Sequence, residues 1–172
     1  MSINLVEPDL AHWGPLSTSV YDADAWPQQI GPELMTEVLA FYDANLVPEL
    51  ACSDAGPDRP SEGWIRQPGR KLVTARTEDG NMVGAWILKD SGIYYPVINV
   101  TKGVPGAVPI LRALAYKSWE SEGDNLYADT SNGLIQRWVN LATSTPEVGR
   151  PEGMPLVRFS GDGSRVEWKH DV

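Results

Sequence analysis

The sequence predicts one α/β domain built on a mixed, mostly antiparallel sheet. Two observations lead to this class. Three strand-like runs follow one another between residues 71 and 101, which is typical of an antiparallel meander. After them, helix-like and strand-like segments alternate, and this alternation favours a parallel strand pair. The chain has 172 residues, which is enough for a single domain over 1–172 with a sizeable core.

The first third of the chain contains one clear helical pattern. Residues 3–8 (INLVEP) are predicted as a strand, and residues 11–29 as a loop with at most a short helical turn. Apolar residues recur at helical spacing in the segment that follows Pro32, and proline suits a first helical turn. Residues 53–63 are polar and rich in proline and glycine, so they predict a long loop.

The meander carries one anomaly that points to a local distortion. Strands are predicted over residues 71–77, 81–89 and 93–101, with turn residues between them. Pro96 lies inside the third run, and a proline has no N–H to donate to a strand ladder. We therefore predict a β-bulge or a break in pairing near Pro96.

The second half predicts alternating helices and strands. Residues 108–122 carry an apolar stripe at helical spacing, and Gly123 is a suitable residue to end that helix. A strand is predicted over residues 125–131 and a short helix over residues 131–142. The segments PLVRFS and RVEWKH, on either side of GDGS, predict a hairpin at the end of the chain.

Composition excludes several classes of function. The net charge of −9 argues against binding to nucleic-acid phosphates or to anionic membranes. The single cysteine rules out a disulfide within the chain, and no spacing of ligand residues predicts a metal site. No run of about 18 apolar residues exists to span a membrane. Because the first residues lack the pattern of a signal peptide, we expect a cytoplasmic protein.

Three segments resemble a known superfamily. They are DGNMVGAWIL (79–88), GVPGAVPILRALAYKSWESEG (103–123) and LYADTSNGLIQRW (126–138). In their order and residues they resemble the GNAT superfamily of acetyl-CoA-dependent N-acetyltransferases, and the resemblance covers nearly the whole chain. It implies a central sheet of about six to seven strands flanked by helices, with a bulge or splay near Pro96.

The resemblance also implies a coenzyme site at the start of the helix after the meander. The family's loop reads Gln or Arg, two residues, Gly, one residue, then Gly or Ala, and its backbone amides hold the coenzyme A pyrophosphate. Lys102 takes the basic position and Ala107 the last small position, but Pro105 replaces the first glycine and removes one donor. The residues that the resemblance assigns to acetyl-CoA are Ile98, Val100, Lys102, Gly103, Gly106, Ala107 and Asn132.

For the chemistry, the resemblance implies transfer of an acetyl group from acetyl-CoA to an amine by direct attack. Many members carry a tyrosine in the last helix that protonates the leaving thiolate. That position falls at about Val139, which has no proton to donate. Asp90, Tyr94, Tyr95 and Asp129 lie on or beside the central strands and are candidates for the base. Tyr95 and Asp129 are the predicted catalytic residues. The acceptor is a small-molecule or protein amine, and the acidic chain suits a cationic one.

Two alternative hypotheses stay open at the level of sequence. Pro105 and Val139 favour a GNAT-fold protein without catalytic activity, which would bind protein partners as a component of a larger complex or particle. A fold does not fix a function, so this hypothesis needs no change of architecture. The third hypothesis is an α/β domain unrelated to this superfamily.

Overall fold

The computed structural model describes residues 13–45, 59–129, 151–155, 158–159 and 165–168. Its elements, in chain order, are β1 (Ser17–Asp22), α1 (Pro32–Asn45), α2 (Glu62–Ile65), β2 (Arg70–Arg76), β3 (Met82–Lys89), β4 (Gly92–Ile98), α3 (Gly103–Glu122), a 3₁₀ turn (Gly123–Asn125), β5 (Tyr127–Asp129), β6 (Arg158–Phe159) and β7 (Arg165–Glu167). The strand predicted over 3–8 and the helix predicted over 131–142 lie outside the described residues.

The described strands form one seven-stranded sheet in the order β1-β2-β3-β4-β5-β7-β6. β4 and β5 run parallel, and the other five neighbouring pairs run antiparallel. This arrangement confirms the mixed, mostly antiparallel sheet predicted from the sequence. The helix α3 connects the two parallel strands, as a parallel connection requires a crossover.

The helices cover both faces of the sheet and create two cores. On one face α3 packs on the strands through Ile110, Leu111 and Leu114, all buried. On the other face α1 contributes Val38 and Tyr42, which have no exposed surface. Because buried apolar area is the main favourable term in folding, these two layers hold the central strands between them. Within the described residues, no helix combines the length and the apolar content that crossing a membrane requires.

Three element predictions differ from the structure. The helix α3 begins at Gly103 and not at Val108, because a proline in the first turn removes only an N–H that has no partner within the helix. The strand β1 lies in a segment predicted as a loop. The short helix α2 begins inside the loop predicted over 53–63, and the hydroxyl of Ser61 caps it by accepting the Trp64 N–H at 3.1 Å.

The bulge predicted near Pro96 is confirmed. Between β3 and β4, Ala85 faces Val97 while Ile87 faces Tyr94, so β4 contains one residue more than its partner. Tyr95 adopts a left-handed backbone conformation with φ of 53°, which is unusual for a residue other than glycine. A bulge of this kind leaves two residues opposite one and bends the strand.

Candidate functional site

The candidate site lies where the short parallel pairing of β4 with β5 ends. β4 and β5 pair at only two positions, Gly92 with Tyr127 and Ile93 with Ala128, although β4 continues to Ile98. In sheets with parallel strands, ligands bind beyond the carboxyl ends of the strands. We call the second half of β4, together with the first turn of α3, the strand-end site.

A hydrogen bond from the helix layer holds the bulge in the strand-end site. The hydroxyl of Tyr42, on α1, donates to the main-chain carbonyl of Tyr95 at 2.5 Å. Tyr42 is fully buried, so its ring cannot move without disturbing the core around α1. The distorted backbone of β4 is therefore fixed in position by packing and not only by strand pairing.

The turn from β4 into α3 is equally well defined. The Asn99 N–H donates to the Val83 carbonyl at 2.8 Å and extends the pairing of β4 with β3. The side-chain oxygen of Asn99 then accepts from the Thr101 N–H at 2.9 Å and from the Thr101 hydroxyl at 2.6 Å. Such an Asx turn stabilises a sharp change of chain direction. It brings the first turn of α3 next to the end of β4.

The start of α3 has fewer free donors than a typical helix. The first four N–H groups of a helix have no partner within it and can bind an anion. Here the Gly103 N–H donates to the Val100 carbonyl at 3.0 Å, and Pro105 has no N–H. Of the four groups concerned, at residues 102–105, the N–H groups of Lys102 and Val104 remain. Helix polarity still favours negative charge at this end, with about half the usual number of donors.

Trp13 lies against the same turn. Its indole N–H donates to the Gly106 carbonyl at 2.7 Å, and the Lys102 ammonium nitrogen lies 4.8 Å from the centre of its ring. A Cβ atom on Gly106 would lie 2.5 Å from the Lys102 Cβ and 3.3 Å from the indole nitrogen. Packing against Lys102 and Trp13 therefore requires glycine at position 106, whatever ligand the turn binds.

The residues assigned to acetyl-CoA separate into three groups. Lys102, Gly103 and Gly106 come together at the start of α3. The side chains of Ile98 and Ala107 are buried in the core under α3, so only their main chains can face a ligand. Val100 is 37% exposed beside the turn, and Asn132 lies outside the described residues, as does Val139.

The two residues predicted to be catalytic lie just beyond the last paired positions of the parallel strands. The Tyr95 ring packs edge-on against Trp64, with ring centres 5.0 Å apart, on the face covered by α1 and α2. Asp129 is exposed at the end of β5, opposite Arg165 of β7. Both therefore border the strand-end site, and their catalytic roles stay predictions.

The pairing of Tyr94 with Tyr127 was not predicted from the sequence. The Tyr127 ring covers Gly92 so closely that a Cβ atom there would lie 2.5 Å from the ring. Burial and then a hydrogen bond with Tyr94 raise the pKa of Tyr127, so its phenol stays protonated at neutral pH. The sequence signal was a tyrosine on each predicted strand, but only the β4–β5 register shows that the two side chains meet.

Comparison with known proteins finds only distant likenesses. No protein-family model matches the chain, and no curated protein matches it. Among solved structures, one similar chain is a putative acetyltransferase from Acinetobacter baylyi ADP1, with 14% identity, a TM-score of 0.45 and 90% of each chain covered. Another is L-PGS from Bacillus licheniformis, with 12% identity and a TM-score of 0.46 over 70% of this chain. The chain spans 34% of the L-PGS chain.

Proposed function

We propose that the protein is an acyl-CoA-dependent N-acyltransferase that transfers an acetyl group from acetyl-CoA to an amine. One observation carries the proposal: β4 leaves its parallel partner after two paired residues, passes through a bulge and leads directly into the start of α3. This arrangement combines an open strand end for an extended ligand with a helix start for its anionic group.

The residues at the start of α3 fit a diphosphate group. The N–H groups of Lys102 and Val104 would donate to its oxygens, and the exposed Lys102 ammonium would add a full positive charge. When bound, the coenzyme supplies an acetyl group activated as a thioester.

The chain's own residues would do the rest of the chemistry at the end of the parallel pair. Because Pro96 has no N–H, another main-chain N–H of β4 would have to polarise the acetyl carbonyl. The attacking amine must lose a proton, and the exposed carboxylate of Asp129 would accept it directly or through water. The protonated phenol of Tyr127 is a proton donor on the same strand.

The same turn also supports a second candidate function, a binding module without catalysis. The Gly103 N–H is already bonded, Pro105 has none, and Lys102 lies against Trp13. Under this hypothesis these contacts serve only to pack α3, and the domain acts through protein partners. Loss of one donor to a charged oxygen costs about 1.5–3 kcal/mol, or roughly ten- to a hundredfold in affinity. Such a loss weakens coenzyme binding without abolishing it.

The two hypotheses are distinguished by release of free thiol from acetyl-CoA in the presence of a panel of small and peptide amines. We expect turnover with at least one amine and a loss of about tenfold or more in Lys102→Glu, which reverses a charge at the site. Lys117→Glu is the matched control, because it makes the same charge change in the later turns of α3, beside Glu120. Absence of thiol release with every amine would contradict the acyltransferase proposal.

A further inference from the structure

Two basic side chains are brought together on the sheet face away from α3. Arg70 at the start of β2 is the direct cross-strand partner of Lys89 at the end of β3. Both side chains are directed to the face on which α2 packs, since Arg70 lies on Trp64 and Lys89 on Tyr94. Like charges at directly opposite positions destabilise a strand pair. The register therefore carries an electrostatic cost.

The chain has more than enough acidic residues to neutralise this pair, yet none of those that the structure describes does so. It contains 23 Asp and Glu against 14 Lys and Arg. The neighbouring bases Arg66, Lys71 and Arg76 form ion pairs with Glu62, Glu122 and Glu37. Among the described residues, no carboxylate lies within ion-pair distance of Arg70 or Lys89. Within that part of the chain these two positive charges lack a counter-ion, which an anionic ligand would supply.

Aromatic rings hold the two cations in place. The Arg70 guanidinium carbon lies 4.5 Å from the centre of the Trp64 ring, and the Lys89 nitrogen 5.5 Å from the centre of the Tyr94 ring. The two rings touch, with centres 6.1 Å apart. Gln67 accepts a hydrogen bond from one guanidinium nitrogen at 2.9 Å. A cation–π contact covers only the flat face of the guanidinium and leaves its N–H donors in the plane. The Arg70 Nε–H is buried without a partner among the described residues, so the terminal N–H groups are the ones that can reach a ligand.

We propose that Arg70 and Lys89 form a binding site for an oxyanion, a carboxylate or phosphate group carried by a small molecule. A guanidinium presents paired donors that match two oxygens of such a group, and the ammonium adds a second charge. The exposed Asp90 is the acidic residue next in sequence, and its charge acts on Tyr127 across the turn. The site lies on the opposite face from α3 and does not depend on acyltransferase activity.

The test is a titration of the full chain, followed by nuclear magnetic resonance of the tryptophan indole N–H signals. The probes are inorganic phosphate in one arm and succinate in the other, each at constant ionic strength. We expect saturable shifts of the Trp64 signal, assigned with Trp64→Phe, with a dissociation constant of about 1 mM or tighter for at least one probe. The arm with the tighter constant identifies the oxyanion as phosphate or carboxylate.

Substitutions of Arg70 and Lys89 test whether the anion binds at these two residues. Arg70→Gln and Lys89→Gln should each weaken binding about tenfold or more, while Lys117→Gln, which removes the same charge from α3, should leave it unchanged. Lys89 is partly exposed at a strand end, so its variant keeps the test valid if the Arg70 variant is unstable. Saturable shifts confined to Trp13, or binding unaffected by both variants, would overturn the proposal. Shifts at Trp13 alone would instead report an anion at the start of α3.

Discussion

At the scale of single residues, the hydroxyl of Thr74 stands out. Thr74 is 1% exposed in the middle of β2, and its hydroxyl has no hydrogen-bond partner within the described residues. An unpaired buried polar group costs about 1–3 kcal/mol, while valine has nearly the same shape. We therefore predict that Thr74→Val raises the free energy of unfolding by about 1 kcal/mol, measured by urea denaturation.

The buried hydroxyl of Ser118 has a hydrogen-bond partner, unlike that of Thr74, and therefore serves as a control. It accepts the indole N–H of Trp86 at 2.8 Å, and both side chains are fully buried. Ser118→Ala leaves that N–H without a partner and should lower the free energy of unfolding by about 1–3 kcal/mol. If both variants changed stability in the same direction, hydrogen-bond satisfaction would not explain the behaviour of these two hydroxyls.

Pro96 and Gly106 show which features of the strand-end site could be predicted from the sequence and which could not. Pro96 predicted the bulge, because a missing N–H is a local property that requires no knowledge of neighbours. The contact of Trp13 with Gly106 joins residues 93 positions apart and could not be predicted. Sequence therefore suggested an anion-binding role for Gly106, and only the structure shows that packing also requires a glycine there.

At the scale of elements, the close approach of α3 to the sheet depends on Gly84 in β3. A Cβ atom at this position would overlap a methyl carbon of Ile110 and lie 3.2 Å from a methyl carbon of Leu114. Gly84→Ala should lower the free energy of unfolding by about 1–3 kcal/mol through overpacking, measured by denaturation. Gly63→Ala in α2, where only the Ser61 hydroxyl lies as near as 4.0 Å, is the control and should not destabilise.

The carboxylate of Glu122 joins the end of α3 to the sheet, and its ionisation contributes to the stability of the fold. Glu122 accepts hydrogen bonds from Lys71 at 2.8 Å, Ser121 at 2.6 Å and Ser91 at 3.2 Å. Burial raises its pKa, but the hydrogen bonds from Lys71, Ser121 and Ser91 outweigh burial and hold it below the ordinary value of 4.5. A lowered pKa means that the ionised form stabilises the folded state.

This stabilisation should be present at neutral pH and lost as the pH falls below 4.5 and through the folded-state pKa. Glu122→Gln should therefore be less stable than the parent at about pH 7, and the difference should shrink towards about pH 3. The measurement is the free energy of unfolding of both proteins across that pH range. If the difference in free energy of unfolding between the two proteins stayed constant with pH, the charge of Glu122 would not contribute to stability.

The elements differ in how well the sequence predicted them. The helix α1, the strands β2 to β4 and the end of α3 at Gly123 follow from periodicity and from turn residues, which act locally. The strand β1 was missed because its sequence, STSVYD, has few apolar residues and depends on pairing with β2. The predicted start of α3 is too late because the glycine and proline residues of 103–106 are typical of a loop.

At the scale of the whole molecule, the sheet separates two chemically different faces. On one face lies α3 with its N-terminal turn, Lys102 and Trp13. On the other face Arg70 lies on Trp64 and Lys89 on Tyr94, and neither base pairs with a carboxylate among the described residues. The net charge of −9 opposes anion binding in general, so any anion that binds must do so at such a local concentration of positive charge. The fold class was predictable from the order of the elements. The chemical difference between the two faces of the sheet was not, because it depends on strand register and packing.

The central claim is that the strand-end site binds acetyl-CoA despite Pro105. The most direct test is calorimetric titration of the protein with acetyl-CoA, repeated with Lys102→Glu and with Lys117→Glu as the matched control. The account predicts saturable binding of about micromolar strength, weakened at least tenfold by Lys102→Glu and unchanged by Lys117→Glu. No binding up to about millimolar coenzyme, or equal binding by both variants, would contradict it.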